Sequence, residues 1–596
     1  KLDDMRFRQM GSPMQGEMAQ QAQMMPQQNP ENVGIMQGFE DDAETIAAAG
    51  AQKNIAIGWK AGLGGSGDMS DNVIIGDNAM DGTGTLDAFS NVFIGRDAGG
   101  GTWTTAASHY NIGIGNYVMD AAMNGALYNT AIGHNAASAL TTGDQNLILG
   151  AGAGYALTTG QYNTIVGVDA ANMHTDVNNV VAVGWNAGKY IGADGTIAIG
   201  YEALKVHTTG GNNIAIGYQA MVNTDAGSNS LASQQNIFIG RSAGSGTWAD
   251  AASSYNVAVG NNAMDANMNE AWYNTALGNS SLSALTSGDY NVGLGHQALT
   301  AVTTAGNNTA VGFQAGYALT TGHSNVVVGK SALNNAVTAD VDYNVVIGSS
   351  TGLSITSDAN VAIGAFAGQF IKGGGSVHIG YETGKYASGS SNTFVGQQAG
   401  QGGTTSAPYS TGTKNTAFGY QALTAFTEGD HTTAIGYQAG KSQVDSYDNT
   451  YIGARSGQAN AVGDGNVTLG DRALYSDTSG HRTIAIGKDA LHFFSGSGTT
   501  TYNSDITKII AIGYFAGYNM GSVPGGSWPQ ATRSKNNIVI GYYAGNTHLA
   551  GGSNVVIGTE ALNGVPNYTQ GSVYIGESSG QNVSSGSYNV AIGAYT

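Results

Sequence analysis

Cysteine is absent from the 596 residues, proline occurs only seven times, and about one side chain in ten is charged. Without cysteine there is no disulfide scaffold and no thiolate metal site. Seven prolines cannot sustain the Gly-X-Y triplets of a collagen. The charges, 21 Lys and Arg against 40 Asp and Glu, sum to −19, the wrong sign for a general nucleic-acid binder. Nor is this the composition of ordinary disorder, because 41% of the residues are apolar and charge density is low. No run of 18 apolar residues occurs, so no segment reads as a membrane-spanning helix. The first residues, from Lys1 to Arg8, lack the apolar stretch of a secretion signal. The chain opens on Lys1 rather than Met and stops inside a motif at Thr596, as expected of part of a longer or processed chain.

Glycine is abundant, 93 of 596 residues, and it is periodic. A five-residue unit recurs from Asn54–Gly58 through Asn129–Gly133 to Asn589–Gly593, thirty times in all, counted by its last glycine. The commonest spacing between these marker glycines is 17 residues, in 13 of 29 intervals, and four intervals are longer, at 23, 23, 26 and 28. Residues 91–146 reappear at 236–291 with a constant offset of 145, so the array grew by copying.

Each position within the unit has a physical role. Three residues before the marker stands Val, Ile, Leu or Thr in every copy; one residue before it stands Ile, Val or Leu, except at Phe418. Two such residues at i and i+2 describe one face of a short β-strand, and that face is expected to look into the core. The residue between them is Ala in 14 copies and larger in others, such as Phe93, His378, Tyr451 and Thr468, which suggests a more tolerant second face. The marker glycine, with Ala three residues later in 23 copies, fits a tight corner. Leu140 at +7 and Gly143 at +10 suggest a second strand and corner in each period. Asn stands four residues before the marker in 23 copies, where stacked coils would join the amides into a ladder.

Helix cannot compete with this pattern, since glycine costs about 1 kcal/mol against Ala at each recurrence. The chain is therefore expected to be all-β: a parallel β-solenoid, a β-roll or β-helix of about 30 coils of ~17 residues, roughly 140 Å long at ~4.8 Å per coil. One thin coil encloses little core. Burial of the Ala-rich face against identical neighbours would remedy this, giving an oligomeric fibre in which Ala434→Glu or Ala485→Glu disrupts assembly.

The phrases Asn308–Gly316 (NTAVGFQAG) and Thr432–Gly440 (TTAIGYQAG) resemble the head repeats of trimeric autotransporter adhesins and the repeat arrays of bacteriophage fibre proteins. The resemblance covers roughly residues 54–596, although the adhesin coil is shorter. It implies a parallel β-roll and a homotrimer, and it carries no functional residue.

Residues 1–50 differ in kind from the repeat array at 51–596. They hold seven of the sixteen methionines, eight glutamines and three of the prolines. Such a leader suits an attachment segment that orders on a docking partner, with Glu40–Gly50 as a possible cap on the first coil. No constellation for catalysis, cofactor binding or metal ligation stands out. Asp144, Asp289 and Asp430 recur after the second corner and would form a glycosidase pair only if coils brought them together.

The longer intervals, near 218–236, 397–415, 488–509 and 514–537, and the two Gly-Thr-Trp phrases are where loops are expected to protrude. Trp103, Trp248, Phe493, Phe494, Tyr502 and Trp528 are the candidate contacts to a receptor or glycan, with edge-covering rings as the alternative. The expected function is that of a non-enzymatic structural fibre on a virion surface, a phage tail or head fibre for host attachment. Its expected partners are further copies of itself, a virion docking protein through residues 1–50, and a host glycan or protein, without nucleic acid or membrane insertion. A bacterial adhesin is the alternative, and a polysaccharide-cleaving tailspike a more distant one.

Overall fold

The computed structural model describes residues 52–63, 66–224, 232–248, 251–335, 341–407, 409–494, 508–520, 535–547, 549–564 and 567–596. Among these residues there is no helix; the chain is a parallel β-solenoid. Its residues group into two compact units, Lys1–Gln235 and Asn236–Thr596. The first holds ten strands of the repeated type, from Ile55–Ile57 to Ile214–Ile216, and the second holds twenty, from Ile237–Ile239 to Val590–Ile592.

Every repeated unit forms one three-residue strand, and successive strands pair in parallel with like residues opposite. Thr130, Ala131 and Ile132 face Leu147, Ile148 and Leu149, which face Thr164, Ile165 and Val166. This register is the repeat itself written in space. The marker glycine follows because Gly133 sits at φ 144°, and a Cβ there would collide with the Gly150 carbonyl of the next coil. Three residues on, the corner alanines Ala136 and Ala153 are fully buried, as is Leu140 at +7.

The second stretch of the coil departs from expectation. A second strand ladder forms only locally, as at Met69–Ser70 with Ala88–Phe89 and at Tyr190–Ile191 with Val206–His207. Elsewhere the stretch is turns, because non-glycine residues repeatedly take left-handed conformations, among them Asn135 (φ 57°), Ala137 (φ 50°) and Gln145 (φ 56°). Coil-to-coil backbone bonds still hold these turns, such as Gly152 N–H to the His134 carbonyl at 2.9 Å.

The facing of the main strand is the reverse of the sequence expectation. The middle residue points into the coil: Ala131, Ile148, Phe93, His378, Tyr451, Thr468, Ala434 and Ala485 are all fully buried. The flanking Val, Ile, Leu and Thr point outward, and several are well exposed, Leu277 at 51% and Phe418 at 56%. A coil this thin has room inside for one strand side chain beside the corner Ala and the +7 residue, so the bulkier pair is turned out.

The asparagine ladder forms as expected. Asn146 Nδ2 donates to Asn129 Oδ1 at 2.9 Å and to the Gly160 carbonyl at 2.9 Å, while its own Oδ1 accepts from Asn163 Nδ2 and from the Asn163 N–H. The ladder runs inside the coil, where these side chains are buried.

Candidate functional site

An outward strand face runs along each of the two units. Within each unit it presents two side chains per coil, all Val, Ile, Leu, Thr or Phe, with no charged residue at either position. The inward position tolerates Gly, Ala, Thr, Val, Ile, His, Phe and Tyr. The partly exposed pair is thus held to a narrower chemical range than the buried residue between it. Apart from eight threonines the pair is apolar, and its range is that of residues favoured in strands.

Aromatic columns flank this face, because residues at one position of successive coils lie directly above one another. Tyr110 and Tyr128 stack with centroids 4.9 Å apart and planes within 4°. Tyr255, Tyr273 and Tyr290 repeat the arrangement at 4.8 and 5.2 Å, and Trp185, Tyr201 and Tyr218 form a third column at 4.9 Å steps. Glutamines form an outer amide ladder, Gln421 Nε2 to Gln398 Oε1 at 2.9 Å and Gln438 Nε2 to Gln421 Oε1 at 2.8 Å. Spacing in the sequence carried the signal for these columns: aromatic residues at a fixed offset from the marker.

The six candidate contact residues separate. Trp103 and Trp248 do not protrude; they are 2% and 1% exposed and fill the coil interior, the Trp248 indole lying edge-on to Phe238 at 5.5 Å. Their 20-residue coils enclose more space than a 17-residue one, and the indole occupies it. Phe494 is likewise buried. It stands seven residues after Gly487, in the column that holds Leu140 and Leu157, so its position in the repeat already marked it as interior. Phe493, one residue earlier, is 43% exposed. Tyr502 and Trp528, like residues 1–50, lie outside the described residues.

Phe493 belongs to a polar and aromatic cluster on the second unit. His492 is sandwiched between Tyr475 and Tyr518, at 4.7 and 5.0 Å. Its Nδ1 lies 2.9 Å from Asp489 Oδ1, and Arg472 grips the same carboxylate with Nε and Nη2, each at 2.9 Å. Burial pushes the His492 imidazole below its ordinary range, with Asp489 opposing and Arg472 reinforcing the shift. Burial also raises the Tyr518 phenol.

The recurring carboxylates have a structural task. Asp144 Oδ1 accepts the Leu127 N–H at 2.7 Å and Asp289 Oδ1 accepts the Trp272 N–H at 2.7 Å, while Asp430 binds the Thr413 N–H. His323 and His481 do the same with Nδ1, taking the N–H of Gly306 and Asp464. The position calls for an acceptor and not for an acid. Among the described residues no group of three or more His, Asp or Glu could hold a metal ion, and no helix is long and apolar enough to cross a membrane. No protein-family model matches the chain, and no curated protein matches it.

Proposed function

We propose that the protein is a non-enzymatic structural and attachment fibre displayed on a virus particle, assembled as a homotrimer of parallel solenoids. The carrying observation is the outward strand face, uncharged in every coil and made of Val, Ile, Leu or Phe everywhere but at eight threonines. A partner for it must repeat with the same coil spacing over many turns, and a second copy in the same register does so. A standard interface buries about 800 Å² per partner, which needs only about 20 Å² from each of the forty outward side chains of the second unit. Three copies about an axis parallel to the coils would enclose these faces and leave the polar turns outside. The resemblance to phage fibre repeats favours the particle. Residues 1–50, set apart by composition, are the docking segment, and exposed aromatic surface meets the host.

A glycosidase reading receives no support from the carboxylates. Asp289 and Asp430 each bind a main-chain amide. They stand eight coils apart, about 38 Å, against the ~5–10 Å of a catalytic pair.

Deleting residues 1–38 tests the assignment. The truncated chain should keep its β content and melting temperature but fail to enter particles, scored by immunogold labelling. Full incorporation of the truncated chain would remove the docking role, and loss of folding would place the segment in the core. Purified full-length chain should also compete with particles for adsorption to host cells. Absence of competition would favour a purely structural rod.

A further inference from the structure

Many exposed rings of this chain stack face to face between coils, and a stack offers a ligand only ring edges. Tyr255, Tyr273 and Tyr290 are such a column, with planes within 9°. Phe493 is different. His492 lies nearly flat between Tyr475 and Tyr518, tilted by 14° and 20°, so both imidazole faces are covered. Phe493 stands across this stack, 4.4 Å and 75° from His492 and 5.1 Å and 85° from Tyr518. At such separations perpendicular rings meet face to edge. With the imidazole faces taken, it is a face of Phe493 that lies against the stack's edges, and the ring remains 43% exposed.

Coil stacking fixes what flanks that ring. The Ser476 N–H donates to the His492 carbonyl at 2.9 Å, and the Phe493 N–H to the Tyr518 carbonyl at 2.8 Å. Ser476 and Asn519 therefore occupy the rungs on either side of Phe493, about 4.8 Å away along the coil axis. Both are half-buried, with a hydroxyl and an amide on the same edge of the coil. Asp489 lies against His492 and is itself held by the Arg472 guanidinium, which fixes the stack in place.

We propose that the free face of Phe493 is the floor of a subsite for one pyranose ring of a host glycan, with Ser476 and Asn519 binding hydroxyls at its rim. The inference rests on the attachment reading and deepens it. A pyranose has an apolar C–H face about the size of a phenyl ring and hydroxyls around its equator. One open ring face with polar groups on both sides is complementary to it. A protein partner would need far more apolar area than one ring supplies.

The test is saturation-transfer NMR on the full chain with the methyl pyranosides of glucose, galactose, mannose and N-acetylglucosamine. At least one sugar should show transfer concentrated on the C–H protons of one ring face. Phe493→Ala should weaken binding about tenfold, Phe493→Trp should retain it, and Asn519→Ala should weaken it a few-fold. Tyr273→Ala, which removes an edge-presenting ring, should leave it unchanged. The subsite is overturned by absence of transfer from all four sugars, by transfer that survives Phe493→Ala in a chain with unchanged β content, or by equal loss in Tyr273→Ala. Host-cell binding separates this from the broader reading. If the full chain and Phe493→Ala bind cells equally, attachment stands and the subsite falls; if the chain binds sugar but not cells, attachment falls.

Discussion

A primary amide has two donors and an acceptor with two lone pairs, and Asn146 satisfies all four. Its Nδ2 reaches Asn129 and the Gly160 carbonyl, and its Oδ1 receives both the side chain and the main-chain N–H of Asn163. Asn146→Ala strands the Asn163 N–H inside the coil and should cost about 2 kcal/mol, seen as faster hydrogen exchange at Asn163. Asn146→Asp should cost more, because a buried carboxylate would face the Gly160 carbonyl and the Asn129 oxygen. Undiminished protection at Asn163 in both variants would make the ladder incidental. His378 shows the opposite condition. It is fully buried and neither ring nitrogen has a hydrogen-bond partner; burial lowers its pKa to about 4 from 6.5, with the nearby backbone of Thr383 and Gly384 opposing the shift. Between these values the unfolded chain binds the proton and the folded one does not. Stability is therefore full above about pH 6.5 and is lost as pH falls toward 4, by about 3 kcal/mol at the lower end. Phe occupies the same position at residue 394. His378→Phe should raise stability at pH 5 and flatten its dependence on pH over that window, as read by denaturant titration.

Within one coil, an aromatic or histidine middle residue on the strand is matched by glycine four residues after the marker. Wherever the middle residue is Phe93, Phe238, His378, Phe394, Tyr451 or Tyr574, the later position is glycine: Gly99, Gly244, Gly384, Gly400, Gly457 or Gly580. Where the middle residue is Ala417 or Ala485, the later position is Leu423 or Leu491. A Cβ at Gly400 would enter the Phe394 ring. Yet Leu423 holds the same place at φ 52°, close to the 53° of Gly400, so the backbone admits leucine there. Phe394→Ala alone should cost about 3–5 kcal/mol through its cavity, and Gly400→Leu alone about 1–3 kcal/mol through overpacking. The double variant should recover much of both, with a coupling of at least about 2 kcal/mol in a double-mutant cycle. Additive losses would show that the two positions do not exchange volume.

At the scale of the molecule, what matters is which face of the strand is left for other molecules. Ala434 lies inside the coil and Ile435 outside it, 38% exposed. Ala434→Glu should therefore unfold the local coils, since it buries a carboxylate without a partner, rather than release an intact protomer. Ile435→Lys, combined with Thr433→Lys, places charge on the outward face and should give a folded protomer of reduced oligomeric state. Circular dichroism and light scattering distinguish the two outcomes. An unmodified protein that scatters as a stable monomer would refute self-association through this face, and a dimer would refute the three-fold arrangement alone.

The sequence by itself determined the repeat, and with it the all-β class, the parallel register, the glycine corner and the asparagine ladder. Each follows from one residue recurring at one spacing, so that like side chains must stack. It also held the placement of Phe494 and the pairing of aromatic or histidine strand residues with a later glycine, both legible as fixed offsets from the marker. Alternation along a strand, however, says only that residues i and i+2 share a face; it does not say which face is inside. Tertiary structure decided that. The narrow coil admits one side chain per strand, which turned the Ala-centred side inward and left Val, Ile, Leu and Thr outside. The larger interior of the 20-residue coils drew Trp103 and Trp248 inward, and Phe493, one residue out of the buried register, was left as an exposed ring on the surface.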